Sequence, residues 1–189
     1  ARKLEVVVQT GAGVEAGFDD QSYTALGARL CPHRHEAISM AQIVLAVQGC
    51  FTSMPETNAD PWSILTPNQI LIGFLNPLLR PEMAVRLAAT GVTAFAMELL
   101  PRISRAQNMD TLSSMATLAG YKAAIMAADH LGKIFPLLMT AAGTISPARV
   151  LVLGAGVAGL QAIATCKRLG AVVEAYDVRP EVKDQVQSV

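Results

Sequence analysis

Apolar and polar positions alternate along this chain in blocks whose period switches between that of a strand and that of a helix. Leu4 to Gln9 is a β-branched run ended by Gly11-Ala12-Gly13, and Asp19 to Leu26 follows as a short helix. Gln42 to Val47, Gln69 to Leu75 and Val92 to Ala96 are further strand-like runs. Pro81 to Thr90 has helical spacing, with proline in its first turn and Gly91 as its stop. Strands separated by helical patterns predict parallel βαβ construction with both sheet faces covered. Residues Gly49 to Pro67, with three prolines, are expected to form a surface loop. From Asp110 the period lengthens: Leu112, Met115, Ala116, Ala119, Ala123, Met126 and Ala127 recur at three- and four-residue steps. This predicts a long amphipathic helix N-capped by Asp110, then a second helical piece from Gly132 bent or ended near Pro136. Met109, Met115, Met126 and Met139 are expected as core filler. The helices form a connector, and the domain boundary is placed near residue 125.

Composition narrows the partners. Of 189 residues, 52% are apolar and 16% charged, which excludes disorder and predicts a folded core. Fifteen basic residues balance fifteen acidic ones, so no overall field draws nucleic acid or anionic lipid. The apolar stretches are too short and too often broken to cross a bilayer, so no direct membrane insertion is expected. Cys31, Cys50 and Cys166 lack disulfide or zinc spacing and fit a reducing compartment, and with no basic run followed by an apolar one at the start, secretion is not expected. His33 and His35 flank Arg34 near Cys31, but without a second ligand pair they are expected to be solvated, and no metal is assigned.

The strongest chemical signal lies near the C-terminus. Arg149 to Leu153 is a buried-type strand, Gly154-Ala155-Gly156-Val157-Ala158-Gly159 reads GxGxxG, and Val157 to Leu169 has helical spacing. In that setting the first glycine makes the tight turn, the second lets backbone approach a pyrophosphate, and the third permits close helix–strand packing. The diphosphate would rest on the helix N-terminus, where N–H groups and the dipole favour an anion. Gly170 ends the helix, Ala171 to Tyr176 is the second strand, and Asp177 closes it as the ribose acceptor. Asp177 favours NAD(H), because its carboxylate accepts from a 2′-hydroxyl and repels a 2′-phosphate. Arg179 is open to two interpretations, a partner for such a phosphate or an adenosine-side contact. The Gly11-Ala12-Gly13 turn lacks the third glycine and is taken as an ordinary loop.

MELLPRISRAQNMDTLSSMATLAGYKA (Met97 to Ala123) and TAAGTISPARVLVLGAGVAGLQAIATCKRLGAVVEAYDVR (Thr140 to Arg179) together resemble the NAD(H)-binding domain of proton-translocating nicotinamide nucleotide transhydrogenase. The likeness extends upstream through GAGVEAGFDDQSYTALGA and LIGFLNPLLRPEMAVRLAATGVTAFAMELLP. It implies hydride transfer between NADH, held here, and NADP(H) held by a separate partner domain, with a membrane domain coupling transfer to proton movement. It also implies a homodimer located in the cytoplasm or mitochondrial matrix and attached to the inner membrane through partner subunits. By position it assigns nicotinamide-end contacts to Arg102, Gln107, Asp110 and Ser113, with Gln107 and Asp110 as the candidate catalytic groups. Gly154, Gly156, Val157, Ala158 and Gly159 would line the pyrophosphate, and Asp177, Val178 and Arg179 the adenosine. Gln107, Asp110 and Ser113 step by three and would share a helical face, though Asp110 and Ser113 also suit a plain helix cap.

The fold class expected is α/β, with two Rossmann-like parallel-sheet domains joined by long helices. Residues 1–125 would be the N-terminal domain, lacking its first strand, and 126–189 the start of an incomplete nucleotide-binding domain, so both ends look cut. Two other functions stay open, an alanine dehydrogenase-like enzyme and a non-catalytic NADH-binding module. An amino-acid dehydrogenase needs positioned Lys and His groups for proton transfer. Here LAVQGC offers Ala46 and Gln48, and FLNPL offers Asn76.

Overall fold

The computed structural model describes residues 4–48 and 61–189, and they fold as two compact units, one ending at Ile103 and the other beginning at Ser104. In the first unit, β1 (Val7–Gln9) pairs in parallel with β2 (Arg29–Cys31), and α1 (Asp20–Ala25) crosses between them. Asp19 starts α1 because its Oδ1 accepts from the Ser22 N–H at 2.8 Å, which satisfies an otherwise orphaned donor. After α2 (Arg34–Met40) come three parallel strands, β3 (Ile43–Gln48), β4 (Ile70–Phe74) and β5 (Thr93–Ala96), in that order across the sheet. The crossover from β4 to β5 is α3 (Pro81–Ala89), whose first turn carries Pro81, where a missing N–H costs nothing. The expected loop at Gly49 to Pro67 falls outside the described residues as far as residue 60. Beyond it, Pro61–Ile64 form a 3-10 turn and Leu65 is buried.

The core of this unit gathers Ile38, Val44, Leu65, Leu71, Leu75 and Leu87 around the central strand, with Leu71 wholly buried. A buried polar residue ties it to α2. Gln69 Nε2 donates to the carbonyls of Ile38 (2.8 Å) and Ala41 (2.7 Å), while its Oε1 accepts from Thr66 N–H (2.8 Å). Both polar atoms of the side chain are thus bonded to backbone, at the end of α2 and in the turn before β4. At the far end of β4, Glu98 Oε1 accepts from the backbone N–H groups of Leu75 and Asn76 and so holds the turn in which Asn76 has φ +50°.

The second unit starts with a 3-10 stretch, Ser104–Met109, and then α4 (Thr111–His130), a single helix of 20 residues. The division near residue 125 that the sequence suggests falls inside α4. No second helical piece follows Gly132, contrary to expectation: residues from Leu138 form an antiparallel hairpin, β6 (Leu138–Thr140) and β7 (Gly143–Ile145). Pro136 removes a donor, and Thr140 Oγ1 donates to Gly143 O at 2.9 Å and accepts from Ala142 N–H at 3.2 Å, so a tight turn displaces helix there. Then β8 (Arg149–Leu153), α5 (Val157–Arg168) and β9 (Val172–Tyr176) make one parallel βαβ unit, followed by α6 (Lys183–Ser188). Its core joins Ala124, Phe135, Ala148, Cys166 and Ala171. Burial pushes the Cys166 thiol pKa up and keeps it un-nucleophilic.

The buried face of α4 also differs from the expected stripe. Gly120 and Ala124 are the buried residues, whereas Met115 and Met126 are exposed, as are Met109 and Met139 elsewhere. Small residues win because α4 packs closely on α5, which bulky methionines would prevent. Among the described residues no helix is long and apolar enough to cross a membrane.

Replacing Gln69 by leucine strands the Ala41 carbonyl and the Thr66 amide and takes one of two donors from the Ile38 carbonyl, so Gln69→Leu is expected to lower stability by about 2–4 kcal/mol in urea unfolding, despite the added apolar surface.

Candidate nucleotide-binding site

The geometry of the second unit's βαβ turn follows from its glycines. Gly154 leaves β8 with φ +95°, a left-handed conformation that side chains resist, and its N–H donates to Tyr176 O on β9 at 2.7 Å. Gly159 lies so close beneath the turn that a Cβ there would sit 1.8 Å from Gly154 O. Gly156 is the N-cap of α5, and a Cβ at that position would meet nothing within 4 Å. The N-cap Gly156 makes no side-chain cap bond, and Gly154, Gly156 and Val157 are exposed at the start of α5. A diphosphate fits such a place: open space, donors and the positive end of a helix coincide.

At the end of β9, Asp177 is tied directly to that turn. Its Oδ2 accepts from Ala155 N–H at 2.7 Å, and its Oδ1 accepts from Arg179 N–H at 2.9 Å and Arg179 Nε at 3.0 Å. Arg179 Nη2 adds a bond of 3.1 Å to Oδ2. The Asp177 side chain is 8% exposed and that of Arg179 51%, so the guanidinium covers the carboxylate from the solvent side. Arg179 first, and then the Ala155 amide, hold the Asp177 carboxyl far below the usual carboxylate range. The ion pair is internal to the loop. Val178, between the two, is exposed.

The remaining residues singled out in the sequence sit on either side of the division between the two units. Arg102 is exposed at the end of the first unit, and Gln107 is exposed in the 3-10 stretch Ser104–Met109. Asp110 caps α4: its Oδ1 accepts from Ser113 N–H at 2.9 Å and its Oδ2 from Ser113 Oγ at 2.7 Å. The pair therefore does structural work at the helix start, whatever else it contacts. Elsewhere, the rings of His33 and His35 stack at 5.7 Å, and among the described residues no group of three or more His, Cys, Asp or Glu converges on a point. The Gly11 turn is a packed one, since Gly11 N–H donates to Asp20 Oδ1 at 2.8 Å and a Cβ on Gly13 would meet Tyr23 Oη at 2.3 Å.

The family description "Alanine dehydrogenase/PNT, N-terminal domain" matches residues 1–119, and "Alanine dehydrogenase/PNT, C-terminal domain" matches residues 123–189. The chain belongs to the alanine dehydrogenase/PNT family. Within that family it is 49% identical over 186 residues to the first portion of the NAD(P) transhydrogenase alpha subunit of Rhodospirillum rubrum, covering 98% of this chain and 48% of that protein. A crystal structure of transhydrogenase from Sinorhizobium meliloti superposes with a TM-score of 0.87 at 46% identity, over 97% of this chain and 53% of that one. Alanine dehydrogenase of Bacillus subtilis is more distant, 27% identical over 187 residues, covering 97% of this chain and 47% of the enzyme. The chain thus spans about half the length of the relatives it matches.

Two features of this alanine dehydrogenase/PNT site escape sequence inspection. Ala155 occupies a free position of the GxGxxG pattern, and its contribution is a backbone amide that no residue type announces. Gly120 lies within the Met97 to Ala123 segment but is given no role by it, yet it is buried against the first turn of α5.

Asp177→Asn removes the acceptor charge while keeping the shape, and NADH affinity is expected to fall by about 10- to 100-fold in a fluorescence titration. Because the folded carboxyl is depressed, its charge is fully present above the ordinary range near pH 4 and is lost only as pH falls well below it. The Asp177-dependent part of NADH binding is accordingly level between pH 5 and 8, which titrations of wild type and Asp177→Asn across that range will check.

Proposed function

We propose that this chain is the NAD(H)-binding part of a proton-translocating nicotinamide nucleotide transhydrogenase. The observation that carries the proposal is the bond from Ala155 N–H to Asp177 Oδ2, which joins a ribose acceptor to an uncapped helix start able to take a diphosphate. Similarity at 49% to a transhydrogenase alpha subunit, against 27% to an alanine dehydrogenase, favours this member of the family.

In this role the first-turn amides of α5, from Val157 to Gly159, bind the pyrophosphate together with the turn at Gly154 and Gly156. Asp177 accepts from the adenosine ribose, and Val178 and Arg179 flank it; Arg179 shifts from covering the carboxylate to lining the adenosine. Arg102, Gln107, Asp110 and Ser113 orient the nicotinamide end, with Gln107 and Asp110 nearest the reaction. Bound NADH supplies a hydride, so that one nicotinamide is oxidised as another, on NADP⁺ held by a partner domain, is reduced. No side chain of this chain needs to accept or give a proton in that transfer. The family's dehydrogenase chemistry does need such groups, and Ala46, Gln48 and Asn76 supply none. Positioning and exclusion of water are what the protein contributes. A membrane domain carries the coupled proton movement, and two copies of this part pair as a homodimer on the inner face of the membrane.

The test is a mixing experiment. With an NADP-binding domain of a transhydrogenase and NADH deuterated at its transferable position, deuterium is expected on the NADP product. Formation of alanine from pyruvate, ammonia and NADH by this chain alone identifies an amino-acid dehydrogenase instead, and NADH binding without either reaction identifies a non-catalytic module.

A further inference from the structure

We propose that Gly120, in the middle of α4, is a positioning residue for the nucleotide site: it seats α4 on the first turn of α5 and so fixes the span between the two ends of the bound dinucleotide. The inference rests on the function proposed above, in which Gln107, Asp110 and Ser113 serve the nicotinamide end.

A Cβ built on Gly120 would lie 2.1 Å from the Ala158 carbonyl oxygen, 2.9 Å from its carbon and 3.0 Å from the Ala158 Cα. All three are backbone atoms, so no change of rotamer relieves the clash. Ala158 is the second residue of α5 and lies within the GxGxxG segment itself. Glycine is the poorest helix former after proline, and its place at the centre of a 20-residue helix fits a need for close approach. Gly120 is therefore a point of close backbone approach between α4 and the GxGxxG turn.

The same face of α4 carries Ser113 two turns earlier, about 10 Å along the axis, with its cap Asp110 just beyond. One turn after Gly120, Ala124 is buried in the cluster of Phe135, Ala148, Cys166 and Ala171. Past Gly120 the helix is anchored by Ala124 and by Ala128, which packs on the same cluster, and its N-terminal half runs from Gly120 back to Ser113. A methyl group at residue 120, with Ala124 as the pivot, tilts that half away from α5. Ser113 and Asp110 then move outward, whereas the turn at Gly154–Gly159 and Asp177 stay together, because their bonds run through β8, β9 and the Ala155 amide. Gly120 touches no ligand; it acts through α4.

The test compares two ligands on wild type and Gly120→Ala. NADH reaches both ends of the site, while ADP-ribose lacks the nicotinamide and reaches only the diphosphate and adenosine end. Gly120→Ala is expected to weaken NADH by about tenfold, equivalent to losing one or two hydrogen bonds, and ADP-ribose by less than about twofold. Equal loss of both ligands, or no loss of either in the folded variant, overturns the inference. A wild-type chain that binds neither overturns the proposed function and this inference with it. Should Gly120→Ala fail to fold, hydrogen exchange on wild type decides: ADP-ribose bound at the α5 turn is expected to slow exchange of the α4 amides from Thr117 to Ala124. Unchanged exchange there overturns the inference.

Discussion

The backbone amide of Ala155 and the carboxylate of Asp177 hold the candidate site together. That bond spans the end of one strand and the turn after another, so the place for a diphosphate and the place for a ribose cannot drift apart. The local geometry of the βαβ unit is matched to it. Gly154 must take its left-handed turn to present the Ala155 amide, Gly159 must lack a side chain to let α5 lie under that turn, and β9 must end where Asp177 can reach back. Arg179 completes the arrangement by neutralising a carboxylate that its surroundings have largely removed from solvent.

Electrostatics and packing divide the work. The Asp177 end of the candidate site is charged and pre-formed, with its acid held ionised by a guanidinium and an amide. The far end, at the start of α4, is a capped helix whose position depends on packing: Asp110 is bonded to Ser113, and the helix is set against α5 by its small residues. The function proposed above would call on this combination, a fixed grip on one half of a dinucleotide and accurate placement of the other, more than on proton-transfer groups.

Local chemistry explains how much of this is visible in the sequence. The strand–turn–helix–strand run from Arg149 to Asp177 is legible because each step has its own residue signal: a β-branched strand, three spaced glycines, helical periodicity, a second strand and a terminal acid. Pro81 and Gly91 mark α3 as plainly, and Asp110 marks the start of α4. By contrast, α2 escapes notice because His33 offers no side-chain cap, and β2 because three residues carry no measurable period. The hairpin β6–β7 resembles helix since Leu137, Leu138 and Met139 are apolar without being β-branched, and the turn that decides the matter rests on the hydroxyl of Thr140. The inward face of α4 misleads for a different reason. Periodicity finds large apolar residues, whereas the contact with α5 selects the absence of a side chain at Gly120.

The most direct test is an NMR titration of the isotope-labelled chain with NADH. The account predicts that the amides of Gly154 to Leu160 and of Asp177 to Arg179 shift together and saturate at one affinity, while those of Gly11 to Gly13 stay still. Saturable binding that leaves the Gly154–Leu160 amides unmoved, or that moves the Gly11–Gly13 turn instead, contradicts it.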